Sequence, residues 1–173
     1  MTAPDLDAWL PDPDIRTCHR RRADADPDAL WHAAETVRLD ETRTLGTIVR
    51  WRIPDLPDDV TFRDLFRAHP FLVLDEGDGW SVSGLIGRIW TLERDYPRVE
   101  TPAQFSAWDE PGTARVVFGH WVDGDTLHSE ARAVGSDAAA RLRLRALWAV
   151  VGRFERLIGG EALALAARRA TSP

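Results

Sequence analysis

Period-two alternation and apolar repeats every three to four residues divide this chain into recognisable elements. Residues 15–22 set Ile15, Thr17, His19 and Arg21 against Arg16, Cys18, Arg20 and Arg22. Neither set is cleanly apolar, which predicts a strand at an edge or with one wet face. Asp26-Pro27 then supplies an N-cap acid and a proline at the first helical position, ahead of Ala29, Leu30, Ala33, Ala34 and Val37. Residues 43–52 read as a second helix, with a strand as the alternative because of their β-branched content. Thr61 and Asp64 cap a short helix over 62–69, which Pro70 ends.

From residue 71 the period shortens. Residues 71–75 and 80–90 flank the turn Glu76-Gly77-Asp78-Gly79 and predict a hairpin, with Gly84 and Gly87 marking bends or a close backbone approach. A further strand over 91–99 is weakened by Pro97, and Thr101-Pro102-Ala103-Gln104 forms a capped turn. Residues 114–122 and 126–134 flank Asp123-Gly124-Asp125 as a second hairpin. Ser136 is the expected N-cap of a long helix. Its buried stripe is Leu144, Leu147, Val151, Phe154 and Ile158, widened by Val150 and Leu157. Gly159-Gly160 ends or kinks that helix, and an Ala-rich stretch resumes it to residue 170. One amphipathic helix after a meander buries its stripe best across the concave face of a curved sheet. The expected fold is therefore α+β: a curved antiparallel sheet wrapped around a long C-terminal helix, with short helices after the first strand.

A length of 173 residues suits one domain, here 15–170, preceded by an Asp- and Pro-rich tail over 1–14 that tucks Trp9 against the body. The single cysteine, Cys18, excludes an internal disulfide or a multi-cysteine metal site. A net charge of −6 argues against non-specific nucleic-acid binding. No apolar run is long enough for a membrane span, and the acidic N-terminus does not read as a signal peptide, so the expected compartment is the cytoplasm. His19, His32, His69, His120 and His128 show no metal-ligand spacing. Phosphate-loop, dinucleotide and nucleophile-elbow motifs are missing, so no cofactor is expected.

The order of elements resembles the helix-grip fold of the START-like, or SRPBCC, superfamily. That group includes polyketide cyclase and dehydrase-like proteins, plant pathogenesis-related and allergen proteins, and lipid-transfer domains. The resemblance rests on Ala25-Asp26-Pro27-Asp28-Ala29-Leu30-Trp31, Gly87-Arg88-Ile89-Trp90, and Phe105-Ser106-Ala107-Trp108-Asp109-Glu110-Pro111-Gly112. It also rests on Leu127-His128-Ser129-Glu130-Ala131-Arg132 and on Asp137-Ala138-Ala139-Ala140-Arg141 leading into Trp148-Ala149-Val150-Val151-Gly152. It covers residues 15–170, is closest to a bacterial branch, and implies a hydrophobic cavity between sheet and long helix. The stretch from Arg43 to His69 departs from the pattern and either lids that cavity or fills it.

Candidate site residues follow from parity and composition. Val116, Phe118, His120 and Val122 share one face of their strand, which points His120 inward as an acid/base group, a ligand partner or a satisfied core histidine. Arg88 shares a set with Val82, Gly84, Ile86 and Trp90; it either holds a ligand carboxylate or snorkels to water. Glu130 and Arg132 face outward if the small residues Ser129, Ala131 and Ala133 face the helix, and Glu130 then pairs with Arg115; with the face reversed, Glu130 and Arg88 form a buried pair in the cavity. The outward reading is preferred. The eight tryptophans either fill the core or wall a ligand site. The expected ligand-binding set is Arg88, Trp90, Trp108, Phe118, His120, Leu147 and Val151. Three functions stay open: binding of a small hydrophobic or amphipathic molecule, a cyclase-, dehydratase- or hydrolase-type enzyme using His120 with Arg88 or Glu130, and a structural module that forms a homodimer.

Overall fold

A computed structural model describes residues 3–53, 56–91, 93 and 96–171; the side chains of 153–159 lie outside the description. Five strands form one curved antiparallel sheet: β1 Ile15–Arg22, β2 Phe71–Gly77, β3 Trp80–Gly87, β4 Ala114–Asp123 and β5 Thr126–Gly135. Their spatial order is β1-β5-β4-β3-β2, so the first strand closes against the last. The helices are α1 Pro27–Thr36, α2 Thr44–Arg52, α3 Phe62–Leu65, α4 Pro102–Ser106 and α5 Ala138–Ala170. This α+β arrangement is consistent with a helix-grip fold. Among the described residues, no helix is long and apolar enough to cross a membrane.

Local chemistry sets most element ends. The Asp26 carboxylate accepts the N–H groups of Asp28 and Ala29 at the start of α1. Thr101 and Gln104 form a reciprocal capping box at α4. At α5 the cap is Asp137 rather than Ser136: its carboxylate accepts the N–H of Ala140 and that of Gly112. Ser136 is used across the chain instead, its hydroxyl accepting the N–H of Thr113. The helix runs on through Gly159-Gly160. The expected strand over 80–90 stops at Gly87, because its pairing partner β4 begins there at Ala114. The chain then turns, with the N–H and hydroxyl of Thr91 both donating to the Arg88 carbonyl. No strand forms among the described residues of 91–99, and the helix expected over 62–69 closes after one turn.

Both faces of the sheet are covered. On the outer face lie the first residues of the chain, with Leu6 and Leu10 nearly fully buried against Val82, Ile86 and Val117, and Phe105 of α4 beside them. Trp9 is half-buried, edge-on to Phe105 at 6.4 Å. Two glycines make this approach possible: the Phe105 ring stands 2.6 Å from where a Gly84 Cβ would be, and Leu6 stands 2.8 Å from that of Gly119. Among the described side chains, α5 packs on the inner face of the sheet around Leu144 and again around Leu163. Leu144 packs on Leu85, Val116 and Ala133 near one end. Leu163, Ala166 and Ala167 join Val122, Leu127 and α1 near the other. Val150 does not widen the buried stripe, since it and Leu142 are exposed. Phe154, Leu157 and Ile158 fall outside the described side chains.

Glu130 and Arg132 face outward as preferred, yet both are buried under the N-terminal segment. Glu130 does not pair with Arg115, whose guanidinium donates to the Ser106 carbonyl. Its carboxylate instead accepts from Arg16 at 2.8 and 3.0 Å, from Arg132 at 2.6 Å and from the Cys18 thiol at 3.3 Å. Arg132 also donates to Asp7 and, at 2.9 Å, to the Leu10 carbonyl. Burial pushes the Glu130 carboxyl up, but the hydrogen bonds from Arg16 and Arg132 outweigh it and hold the group below the ordinary carboxylate range. A depressed folded-state pKa gives stability that is complete above the ordinary value and lost as pH falls through the lowered one. Glu130→Ala, which strands the Arg132 charge, is expected to cost about 3–5 kcal/mol in urea unfolding. Arg16→Ala, whose side chain is largely exposed, is expected to cost much less than that. Equal losses for the two would refute this account of the cluster.

Candidate functional site

Between its two contacts with the sheet, α5 stands over a cavity of about 450 Å³. The floor is the inner face of β3, β4, β5 and β1, and its side chains lie in rows set by strand register. One row is apolar: Leu85, Val116, Ala133 and Ile15, with Phe71 of β2 beyond Leu85. The next is mixed: Ser83, Phe118, Ala131 and Thr17. The third is polar throughout: Ser81, His120, Ser129 and His19. All three rows line the cavity. Directly opposed side chains in such a ladder have Cβ atoms about 4.5–5.5 Å apart, so the third row is a continuous polar band crossing an otherwise apolar chamber.

His120 sits at the centre of that band. The Phe66 ring of the turn after α3 leans on it with ring centroids 4.8 Å apart. Its remaining accessible surface is cavity wall, and burial pushes the imidazole down to about 4. At neutral pH the ring is therefore uncharged, with one nitrogen donating and the other accepting. Among the described residues, no group hydrogen-bonds to the side chains of His120, Ser81, Ser83 or Ser129. Their polar groups face the cavity, so this band is the chemically distinctive part of the wall.

Among the described residues, the charged side chains that line the cavity are already engaged. Arg52 donates to the Tyr96 hydroxyl at 2.7 and 3.2 Å and to the Thr91 carbonyl at 2.5 Å. Arg63 pairs with Glu35 at 3.4 Å, Arg67 pairs with Glu76, and Arg132 belongs to the outer-face cluster. The Arg52 contacts also anchor the end of α2, which roofs the cavity with Leu45, Ile48 and Val49. The start of α2 has no side-chain cap of its own. Glu161 of α5 replaces it, accepting from the backbone N–H groups of Arg43 at 2.6 Å and of Thr44 and Leu45 at 3.1 Å. Gly46 is the one fully buried residue of this helix; Val49 packs on Leu39, Val60 and Leu65, and polar bonds at the two ends complete its hold over the cavity.

Of the residues expected to bind a ligand, Phe118, His120, Leu147 and Val151 line the cavity. Arg88 does not: it is exposed in the turn beyond β3. Its companions Val82, Gly84 and Ile86 face the outer layer, because the other parity of β3, Ser81, Ser83 and Leu85, faces α5. Trp90 packs beside the Leu144 contact, outside the cavity wall. Trp108 lies on the outer face, its indole N–H donating to the Thr113 hydroxyl at 3.2 Å. The tryptophans divide by layer: Trp31 and Trp148 line the cavity, Trp9, Trp80, Trp108 and Trp121 pack outside, and Trp51 is exposed. Sequence reasoning missed Ser81, Ser129, Phe66 and Glu161. The signal for the serines was the alternation of small polar residues with Val82 and Ile86, which marks a strand covered on both sides.

No family model and no curated protein matches this chain. Among solved structures, it is similar to the crystal structure of the di-domain ARO/CYC BexL from the BE-7585A biosynthetic pathway. Identity is 13%, the alignment covers 96% of this chain and 53% of that one, and the TM-score is 0.39. The chain thus spans about half the length of that neighbour, and a likeness of this degree carries no argument about fold or activity.

Proposed function

We propose that this protein binds a small amphipathic molecule in the cavity beneath α5. The observation that carries this reading is the row of Ser81, His120 and Ser129, whose polar groups face the cavity between apolar walls. A ligand with one polar end and an apolar body would take hydrogen bonds from this row while its body covers the apolar walls. The volume, about 450 Å³, falls inside the range of about 300–1,000 Å³ usual for small-molecule sites. Entry would run past α2, the roof element.

Acid/base catalysis by His120 is the second reading, favoured by a neutral imidazole that faces open volume with no protein group competing for it. The groups expected to orient a substrate beside it are elsewhere: Glu130 lies across the sheet and Arg88 lies in an exposed turn. Binding therefore ranks first.

The uncharged dye N-phenyl-1-naphthylamine is expected to show saturable, one-to-one fluorescence enhancement with the protein. Ala131→Trp, which grows a side chain into the middle row, is expected to weaken it by at least about tenfold with unchanged circular dichroism. Ser129→Leu serves the same purpose should that variant not fold. Unsaturable dye binding, or full affinity in folded variants, would overturn the proposal. Glu161→Ala removes the borrowed cap of α2, an interaction worth about 1 kcal/mol; stopped-flow dye release is expected to quicken by roughly fivefold, with faster amide exchange in α2.

The histidine sets a separate expectation. Its folded pKa of about 4 lies below the ordinary value of about 6.5, so the unfolded chain takes up the proton first. Stability is complete above about pH 6.5 and falls as pH drops toward 4, by about 3 kcal/mol at most. In His120→Phe that part of the pH dependence should vanish from denaturant titrations run at each pH.

A further inference from the structure

We infer that the site selects an uncharged ligand, one whose hydroxyl or carbonyl oxygen meets the Ser81–His120–Ser129 band, and that it rejects both carboxylates and ammonium groups of the same size. This rests on the binding proposal above and adds the charge class of the ligand.

The argument begins with what the band offers. A neutral imidazole presents one donor and one acceptor, and each serine hydroxyl can do either. Together they can satisfy an oxygen that donates, accepts or does both. None of them supplies a full charge. The burial that holds His120 uncharged also removes the one imidazolium that could have met an anion at the centre of the row.

The surrounding charges do not change this. Among the described residues, each guanidinium that lines the cavity is paired: Arg52 with Tyr96 and Thr91, Arg63 with Glu35, Arg67 with Glu76, and Arg132 with Glu130 and Asp7. A carboxylate ligand would therefore meet no unpaired guanidinium among the described lining residues. An ammonium fares no better, because Glu35 is held by Arg63 at the rim and Glu130 lies on the far side of the sheet. Burying an unpaired ion is far more costly than burying a hydroxyl that finds a partner. Position adds direction to this selectivity. The polar row lies beside the mixed row and the apolar row beyond it, where Phe66, Phe71 and Phe118 form a ring cluster with centroids 5.0–5.7 Å apart. The body of the ligand would point toward those rings and its oxygen toward His120.

Four probes of one shape test this at pH 8, above the ordinary histidine range: 2-naphthol, 2-methylnaphthalene, 2-naphthoate and 2-naphthylmethylammonium. Each is titrated as a competitor of N-phenyl-1-naphthylamine. The expected order places 2-naphthol first, with both ions at least about tenfold weaker. In His120→Phe, 2-naphthol is expected to lose its advantage over 2-methylnaphthalene, while 2-methylnaphthalene itself shifts by less than about threefold. Ser129→Ala gives the same comparison should the phenylalanine variant not fold. Either ion binding the wild type as tightly as 2-naphthol would overturn the inference and leave the binding proposal standing. So would an undiminished preference for 2-naphthol in the folded variants. If the dye itself shows no saturable binding, the binding proposal falls, and the inference with it.

Discussion

The separation between the two places where α5 touches the sheet governs everything functional in this molecule. Leu144 seats the helix on Leu85, Val116 and Ala133, and Leu163 with Ala166 and Ala167 seats it on Val122 and Leu127. Between those anchors Leu147, Trp148 and Val151 look onto the cavity whose floor carries Phe118 and His120. The small side chains Ser129 and Ala131 on β5 keep that cavity wide. Larger residues there would close it and turn a chamber into ordinary core.

The outer layer matters for the same reason. A sheet with a hollow on one side has less packing to hold its strands than one with a filled core, and this sheet recovers support from its other face. Leu6, Leu10 and Phe105 settle there over Gly84 and Gly119, and the cluster of Asp7, Arg132, Glu130 and Arg16 ties the N-terminal segment to the closing pair of strands. Glu130 and His120 thus mark the two sides of one sheet and follow opposite electrostatic logic. Glu130 is buried with partners and keeps its charge. His120 faces the cavity from within the sheet, and its surroundings hold it uncharged at neutral pH. The first is structural chemistry and the second leaves capacity for a guest.

Element type and order were legible in the residues themselves, because the signals are local. Asp26-Pro27 and Thr101-Gln104 cap their helices wherever the rest of the chain goes, and Asp123-Gly124-Asp125 turns between two strands whose periodicity is plain. The inward direction of Phe118 and His120 was equally readable, since alternation along β4 puts them with Val116 and Val122. What failed was parity on β3. Its two faces are both buried, so the more apolar set, Val82 and Ile86, looked like the inner one and carried Arg88 with it. Strand pairing corrected that assignment by ending β3 at Gly87, a boundary imposed by where β4 begins and not by any residue near Arg88.

The chain's own pattern of residues therefore determined most of the helices and strands, their order, and the inward face of the strand bearing His120, all consequences of backbone geometry acting over a few residues. Tertiary structure alone decided which face of β3 looks toward α5, that Glu161 caps a helix more than a hundred positions earlier in the chain, and that Ser81, His120 and Ser129 form one band. Those outcomes depend on register and docking between distant segments, where the free energy comes from surfaces that meet only once the whole chain has folded.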